Sequence, residues 1–210
     1  MDFLTLFSFA LLAGLLVISP GPNGVLIAKT VPTSGRAAGF ANAMGFLPAF
    51  LLHGALSIFG ISILLLQSPT AFWIAKLAGA AYLCWIGINA LVEAFRTGVV
   101  PDRVKPANRK HTLRAAFAEG FLTNLLNPKV SMFYLAAFPQ FIPLGENAVL
   151  LGFALVVLHC ALNLLWFSSL VVLLDRMMDF ARSSAVQRWV KGITGFVFIG
   201  FAVKLATLRP

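Results

Sequence analysis

Thirty-nine consecutive residues, 37–75, contain no Asp, Glu, Lys or Arg. One helical crossing of a bilayer needs only about 20 apolar residues. Within a bilayer, only helices and closed barrels satisfy every backbone N–H and C=O. A barrel strand alternates apolar and polar residues. Runs such as Ala148-Val149-Leu150-Leu151-Gly152-Phe153-Ala154-Leu155 are apolar throughout, so the expected class is all-α. The rest of the chain agrees. Charged residues make up 11% of it, against about 25% in a soluble domain, and its mean hydropathy is +0.91. An ordinary soluble enzyme, a disordered chain and a nucleic-acid-binding module are excluded.

Gln67-Ser68-Pro69-Thr70 divides the long run into two helices. Six spans are expected in all: Phe3 to Ile27, the two helices on either side of 67–70 (the second from Ala71 to Leu91), Ala115–Phe138, Ala148–Leu174 and Lys191–Leu208. Lys29, Pro32, Ser34, Gly35 and Arg36 read as a turn after the first span. Residues 93–114 read as a surface loop, and Asp175–Val190 as a polar segment, in part an interfacial helix. The first charge is Asp2 and the first basic residue Lys29, so a cleavable signal with a basic start is not expected.

The net charge of +9 is distributed by topology. Lys29 and Arg36 follow the first span. Arg96, Arg103, Lys105, Arg109, Lys110 and Arg114 follow the third. Arg176, Arg182, Arg188 and Lys191 follow the fifth. The intervening gaps contain no basic residue. Six spans with both termini outside put all three basic gaps in the cytoplasm. The chain then reads as one transporter domain over 1–210: a three-helix half at 1–92, a cytoplasmic loop at 93–114 and a second three-helix half at 115–210. Because three is odd, related halves would be inverted in the membrane.

Each half opens on an interrupted helix, the first at Ser19-Pro20-Gly21-Pro22-Asn23 and the second at Asn127-Pro128-Lys129. Paired breaks of this kind are the best sequence pointer to a transport site. Pro20 and Pro22 remove amide donors near the carbonyls of Leu16 and Ile18, and Gly21 adds backbone freedom. A plain packing kink is the alternative. An intramembrane charge costs at least about 2.5–3.5 kcal/mol, which makes Lys129 a functional candidate, with snorkelling the alternative. Substrate-binding candidates are therefore Pro20, Gly21, Pro22, Asn23, Asn127, Pro128 and Lys129, with Asn42 and Asn124. Asn42, Asn124 and Asn163 read equally as a polar path or as helix-to-helix bonds. His53 and His159 read as core residues or as proton carriers. Lys76 and Lys204 lie near helix ends and are expected to snorkel. Cys84 and Cys160 sit in apolar runs as packing residues. No catalytic residue, metal site or cofactor is expected, and neither is a nucleic-acid partner. Lipid is the surrounding partner, and a homo-oligomer stays open.

Three blocks add a resemblance. They are Ser19-Pro20-Gly21-Pro22-Asn23, then Leu77-Ala78-Gly79-Ala80-Ala81-Tyr82-Leu83-Cys84-Trp85-Ile86-Gly87, then Asn124-Leu125-Leu126-Asn127-Pro128-Lys129 with Phe138-Pro139-Gln140-Phe141. In this order the chain resembles the LysE/RhtB family of bacterial amino-acid exporters over essentially its whole length. The resemblance implies a multi-pass inner-membrane protein, not an enzyme, that exports amino acids or derivatives, driven by the proton gradient. It also implies that His53, at a position where many members have His, is the proton-coupling candidate. Members often carry Asp after Pro-Gly-Pro, where this chain has Asn23. The alternatives are an inorganic-cation exporter of the same superfamily, a non-transporting membrane scaffold and a membrane enzyme.

Overall fold

A computed structural model describes residues 2–67, 69–95, 112–142, 145–174 and 184–207, and every regular element among them is helical. Helix α1 is Phe3–Ile18, with the Asp2 carboxylate accepting from the Thr5 amide at its start. It stops where the prolines begin. The Ser19 amide still donates to the Leu15 carbonyl at 2.9 Å. Pro20 and Pro22 cannot continue the ladder. Helix α2, Pro22–Ser34, restarts with proline at its first position, where no amide is needed. The two axes meet at 50°.

The turn expected over Lys29–Arg36 is instead the end of α2. Pro32 is accommodated inside the helix, where the Thr33 hydroxyl donates to the carbonyls of Lys29 at 2.9 Å and Thr30 at 3.2 Å. The helix ends only at Gly35, whose φ of +84° lies in the region that side chains disfavour.

Helix α3 is Arg36–Gln67 and α4 is Pro69–Phe95, divided where the sequence predicts. The expected helix over Ala115–Phe138 is broken into pieces of different pitch. Helix α5 is Leu113–Leu125, α6 is Pro128–Met132, and a π turn over Phe133–Ala137 runs into a 3-10 turn over Phe138–Phe141. Proline explains both changes. Pro128 has no amide for the Asn124 carbonyl, which takes the Asn127 amide in a tighter turn at 3.2 Å. In the π turn the Phe138 amide reaches back to the Phe133 carbonyl. The next carbonyl, on Tyr134, would need an amide from Pro139. The Ser57 hydroxyl supplies the donor instead, at 2.6 Å.

Helix α7 is Ala148–Val172 and α8 is Ser184–Thr207. The later part of the expected polar segment is therefore the first turns of α8. Residues 175–183, and 96–111 of the expected loop, lie outside the described residues. The Arg36–Gly60 part of α3, together with α7, is long and apolar enough to cross a membrane. The bent pair α1–α2 meets the same test when its two helices are taken together, as a broken span or a re-entrant loop.

Helix α3 packs against α5, α7 and α2, while α8 packs chiefly on α4. Two helix crossings depend on glycine. A Cβ on Gly45 would strike the Phe117 carbonyl, and one on Gly120 the Asn42 carbonyl, so α3 and α5 touch backbone to backbone. Gly87 and Gly195 serve α4 and α8 in the same way, with a Cβ on Gly195 falling 2.7 Å from the Gly87 carbonyl. Close approach at small residues is how helices associate where lipid removes the hydrophobic drive. Gly200 meets nothing within 4 Å. Gly120→Val is therefore expected to destabilise by at least about 1–3 kcal/mol and to lower the melting temperature in detergent by several degrees. Gly200→Ala, where a Cβ meets nothing and alanine favours the helix, should not lower it.

Candidate functional site

The two helix breaks meet. Ser19, at the end of α1, and Lys129, in the first turn of α6, are joined by a hydrogen bond from the Lys129 Nζ to the Ser19 carbonyl at 2.8 Å. That carbonyl is one of the groups released by the α1–α2 break. Below it, three asparagine side chains lock the junction. Asn23 Nδ2 donates to Asn124 Oδ1 at 2.8 Å, Asn127 Nδ2 reaches Asn23 Oδ1 at 3.4 Å, and Asn124 Nδ2 donates to the Phe46 carbonyl of α3 at 2.8 Å. Asn23 thus donates and accepts at once. An aspartate here could only accept and would lose the bond to Asn124.

A cavity of about 180 Å³ opens beside this junction. One side is the unwound strand Ser19-Pro20-Gly21 with Asn23, and another is Asn127 and Lys129. The third wall is α7, with His159, Asn163, Trp166 and Phe167; Phe50 of α3 closes the base. The end of α1 offers carbonyls without helical donors. The start of α2 offers the Asn23 and Gly24 amides, because the first intrahelical bond there runs from the Val25 amide to the Gly21 carbonyl at 3.1 Å. Acceptors and donors therefore face one small space. Among the described residues, Lys129 is its single charged side chain, and its lining contains no carboxylate.

Of the sequence-predicted candidates, Pro20, Gly21, Asn23, Asn127 and Lys129 line the cavity. Pro22 and Pro128 are exposed and start α2 and α6. Asn124 belongs to the asparagine lock. Asn42 is fully buried and donates to the Ala116 carbonyl at 2.7 Å, joining α3 to α5. His53 stands outside the lining. Its ring stacks on Tyr134 with centroids 5.8 Å apart, and its Nε2 is buried without a hydrogen bond among the described residues.

Sequence reasoning named His159 and Asn163 without placing either among the substrate-binding candidates. Both are fully buried on the α7 wall, and Tyr134, from the π turn, shares a hydrogen bond of 3.1 Å with His159 Nδ1. The available signal was their spacing of four residues on an otherwise apolar helix, which puts both on one face.

Broken apolar helices around a partly buried cation and a small, mostly apolar cavity define a membrane transporter. Residues 14–209 match the pattern of LysE type translocators, and the chain belongs to that family of polytopic membrane transporters. It is 30% identical over 207 residues to the uncharacterized membrane protein YrhP of Bacillus subtilis (strain 168), covering 95% of this chain and 97% of that one. It is 29% identical to the leucine efflux protein of Klebsiella pneumoniae, with 92% and 91% covered, and 26% identical to the threonine efflux protein of Escherichia coli (strain K12), with 92% and 93% covered. No solved structure matches the chain.

Proposed function

We propose that this protein is a secondary active exporter of amino acids or close derivatives across the bacterial inner membrane, coupled to proton movement. The observation that carries the reading is Lys129, a cation set in a cavity with no carboxylate. A buried charge left without a counter-ion is costly, and a ligand carboxylate is its complement. The start of α2 gives the same carboxylate amide donors, and the end of α1 gives carbonyls for the ligand ammonium. At ~30 Å³ per water, the cavity has the volume of about six waters, the scale of a small metabolite. The leucine and threonine efflux proteins among the relatives support the substrate class. An inorganic-cation site would want several carboxylates or thiols. Neither lines the cavity, and no metal-binding cluster of His, Cys, Asp or Glu occurs among the described residues.

Proton coupling is supported by the groups behind the cavity. His159 lines it, Tyr134 hydrogen-bonds to His159, and His53 stacks on Tyr134. This sequence of titratable rings leads away from the ligand, with His53 as its outer member.

The test is amino-acid exchange by purified protein in liposomes, followed by transport under an imposed pH gradient. Exchange above that of protein-free vesicles, accelerated by the gradient, is the expected result. No exchange with any common amino acid would overturn the assignment.

The six elements or broken elements α1–α2, α3, α4, α5–α6, α7 and α8 are read as six passes with both termini periplasmic. Reporter fusions after Thr97 and Ser183 should give cytoplasmic signals, and one after Asn147 a periplasmic signal. A periplasmic signal at Thr97 would refute this topology.

A further inference from the structure

Two polar groups on the α7 wall have no partner. Among the described residues, His159 Nε2 and Asn163 Oδ1 are both buried without a hydrogen bond, and both side chains are at least nine-tenths buried. An unsatisfied group inside a protein bears its full desolvation cost, so such groups are rare and call for a reason. Both residues line the cavity beside the helix breaks, the nearest space in which a partner could sit. They are four residues apart on α7, on one face with a rise of about 6 Å between them.

We propose that His159 and Asn163 read the two ends of the bound amino acid. His159 donates from Nε2 to the α-carboxylate held at Lys129, and Asn163 accepts at Oδ1 from the α-ammonium. This inference rests on the reading of the cavity as an amino-acid site.

The orientation follows from the neighbours. We assign the Tyr134 hydroxyl, 3.1 Å from Nδ1, as the donor of that bond, which leaves the ring proton on Nε2, so His159 presents a donor. A donor belongs with the anionic end of the ligand. The side-chain oxygen of Asn163 is an acceptor and belongs with the cationic end. Two hydrogen bonds of about 2.8–3.0 Å diverging from a single α-carbon fit a separation of one helical turn. The ligand side chain is left against Phe50, Trp166, Phe167 and Leu170, with no acidic group to receive a second positive charge. The cavity therefore demands a free amine and a free carboxylate together, and it rejects cationic side chains.

The test compares three probes as competitors of labelled leucine exchange in liposomes. They are leucine, 4-methylpentanoate, which carries no donor in place of the amine, and 3-methylbutylamine, which lacks the carboxylate. In the wild-type protein both analogues should compete at least about tenfold less well than leucine, the worth of one hydrogen bond to a charged group. In Asn163→Ala the affinity for leucine should fall by about tenfold while that for 4-methylpentanoate holds, so the preference for the amine collapses. Asn163→Asp, which differs by one atom group and keeps the acceptor, should bind leucine and widen the preference. His159→Phe should weaken leucine and 4-methylpentanoate together and leave the amine unaffected.

Parallel losses for leucine and 4-methylpentanoate in Asn163→Ala would mean a structural role and overturn the proposal. An unaltered preference in Asn163→Asp would overturn it as well, even where the alanine variant does not fold. Wild-type protein that exchanges no amino acid would defeat the functional reading itself, a result distinct from either of these.

Discussion

Lys129→Ala is expected to reach the membrane at wild-type levels and to lose transport by on the order of a hundredfold or more, the cost of breaking a buried ion pair. Folding should survive because the substitution removes a charge that costs at least about 2.5–3.5 kcal/mol to place in a bilayer. The Ser19 carbonyl loses its donor, but it lies beside a cavity that water can enter. Transport should not survive, because the ligand carboxylate would then have only the α2 amides and His159. Lys204→Ala, near the far end of α8, is the matched control and should transport normally. The measurement is exchange rate per folded molecule. Equal rates for the Lys129 variant and wild type would refute the role given to this side chain.

Replacing Pro20 and Pro22 together with Ala should raise local helix propensity, by about 3 kcal/mol for each proline in a helix interior, and still reduce export per folded molecule by tenfold or more, a loss of only ~1.4 kcal/mol of ligand binding. Restored amides would donate to the carbonyls of Leu16 and Ile18 and draw α1 and α2 toward one axis, removing the 50° bend. The Ser19 carbonyl would turn away from Lys129, and the donors and acceptors of the cavity would be consumed within the helix. A packing kink behaves differently, since protein level and transport would fall in proportion. An unchanged ratio of export to folded protein would remove the helix break from the transport site.

Much of the chain's organisation is local and could be read without coordinates. Proline has no amide, so the interruptions at Ser19–Pro22 and at Asn127-Pro128 follow from residue type. The division at 67–70 follows from a polar, proline-containing tetrapeptide. The extension of α2 through Pro32 was harder to foresee, because proline ordinarily breaks a helix and the stop at Gly35 is set by φ. The π turn at Phe133–Ala137 was not legible, because its stability draws on Ser57, 77 residues away from Tyr134 in sequence.

For the site the boundary falls in the same place. Charge patterning and composition determined the all-helical membrane class, and the two proline breaks marked Lys129 and its neighbours as candidates. Only the tertiary structure brought the breaks together, across the 110 residues that separate Ser19 from Lys129. It also sorted the asparagines: Asn42 and Asn124 bridge helices, and of the two with an unpaired oxygen, Asn42 and Asn163, only Asn163 lies on the cavity wall. Periodicity states which residues share a helix face. It does not state what that face meets, because a buried polar group's partner is chosen by packing between helices distant in sequence.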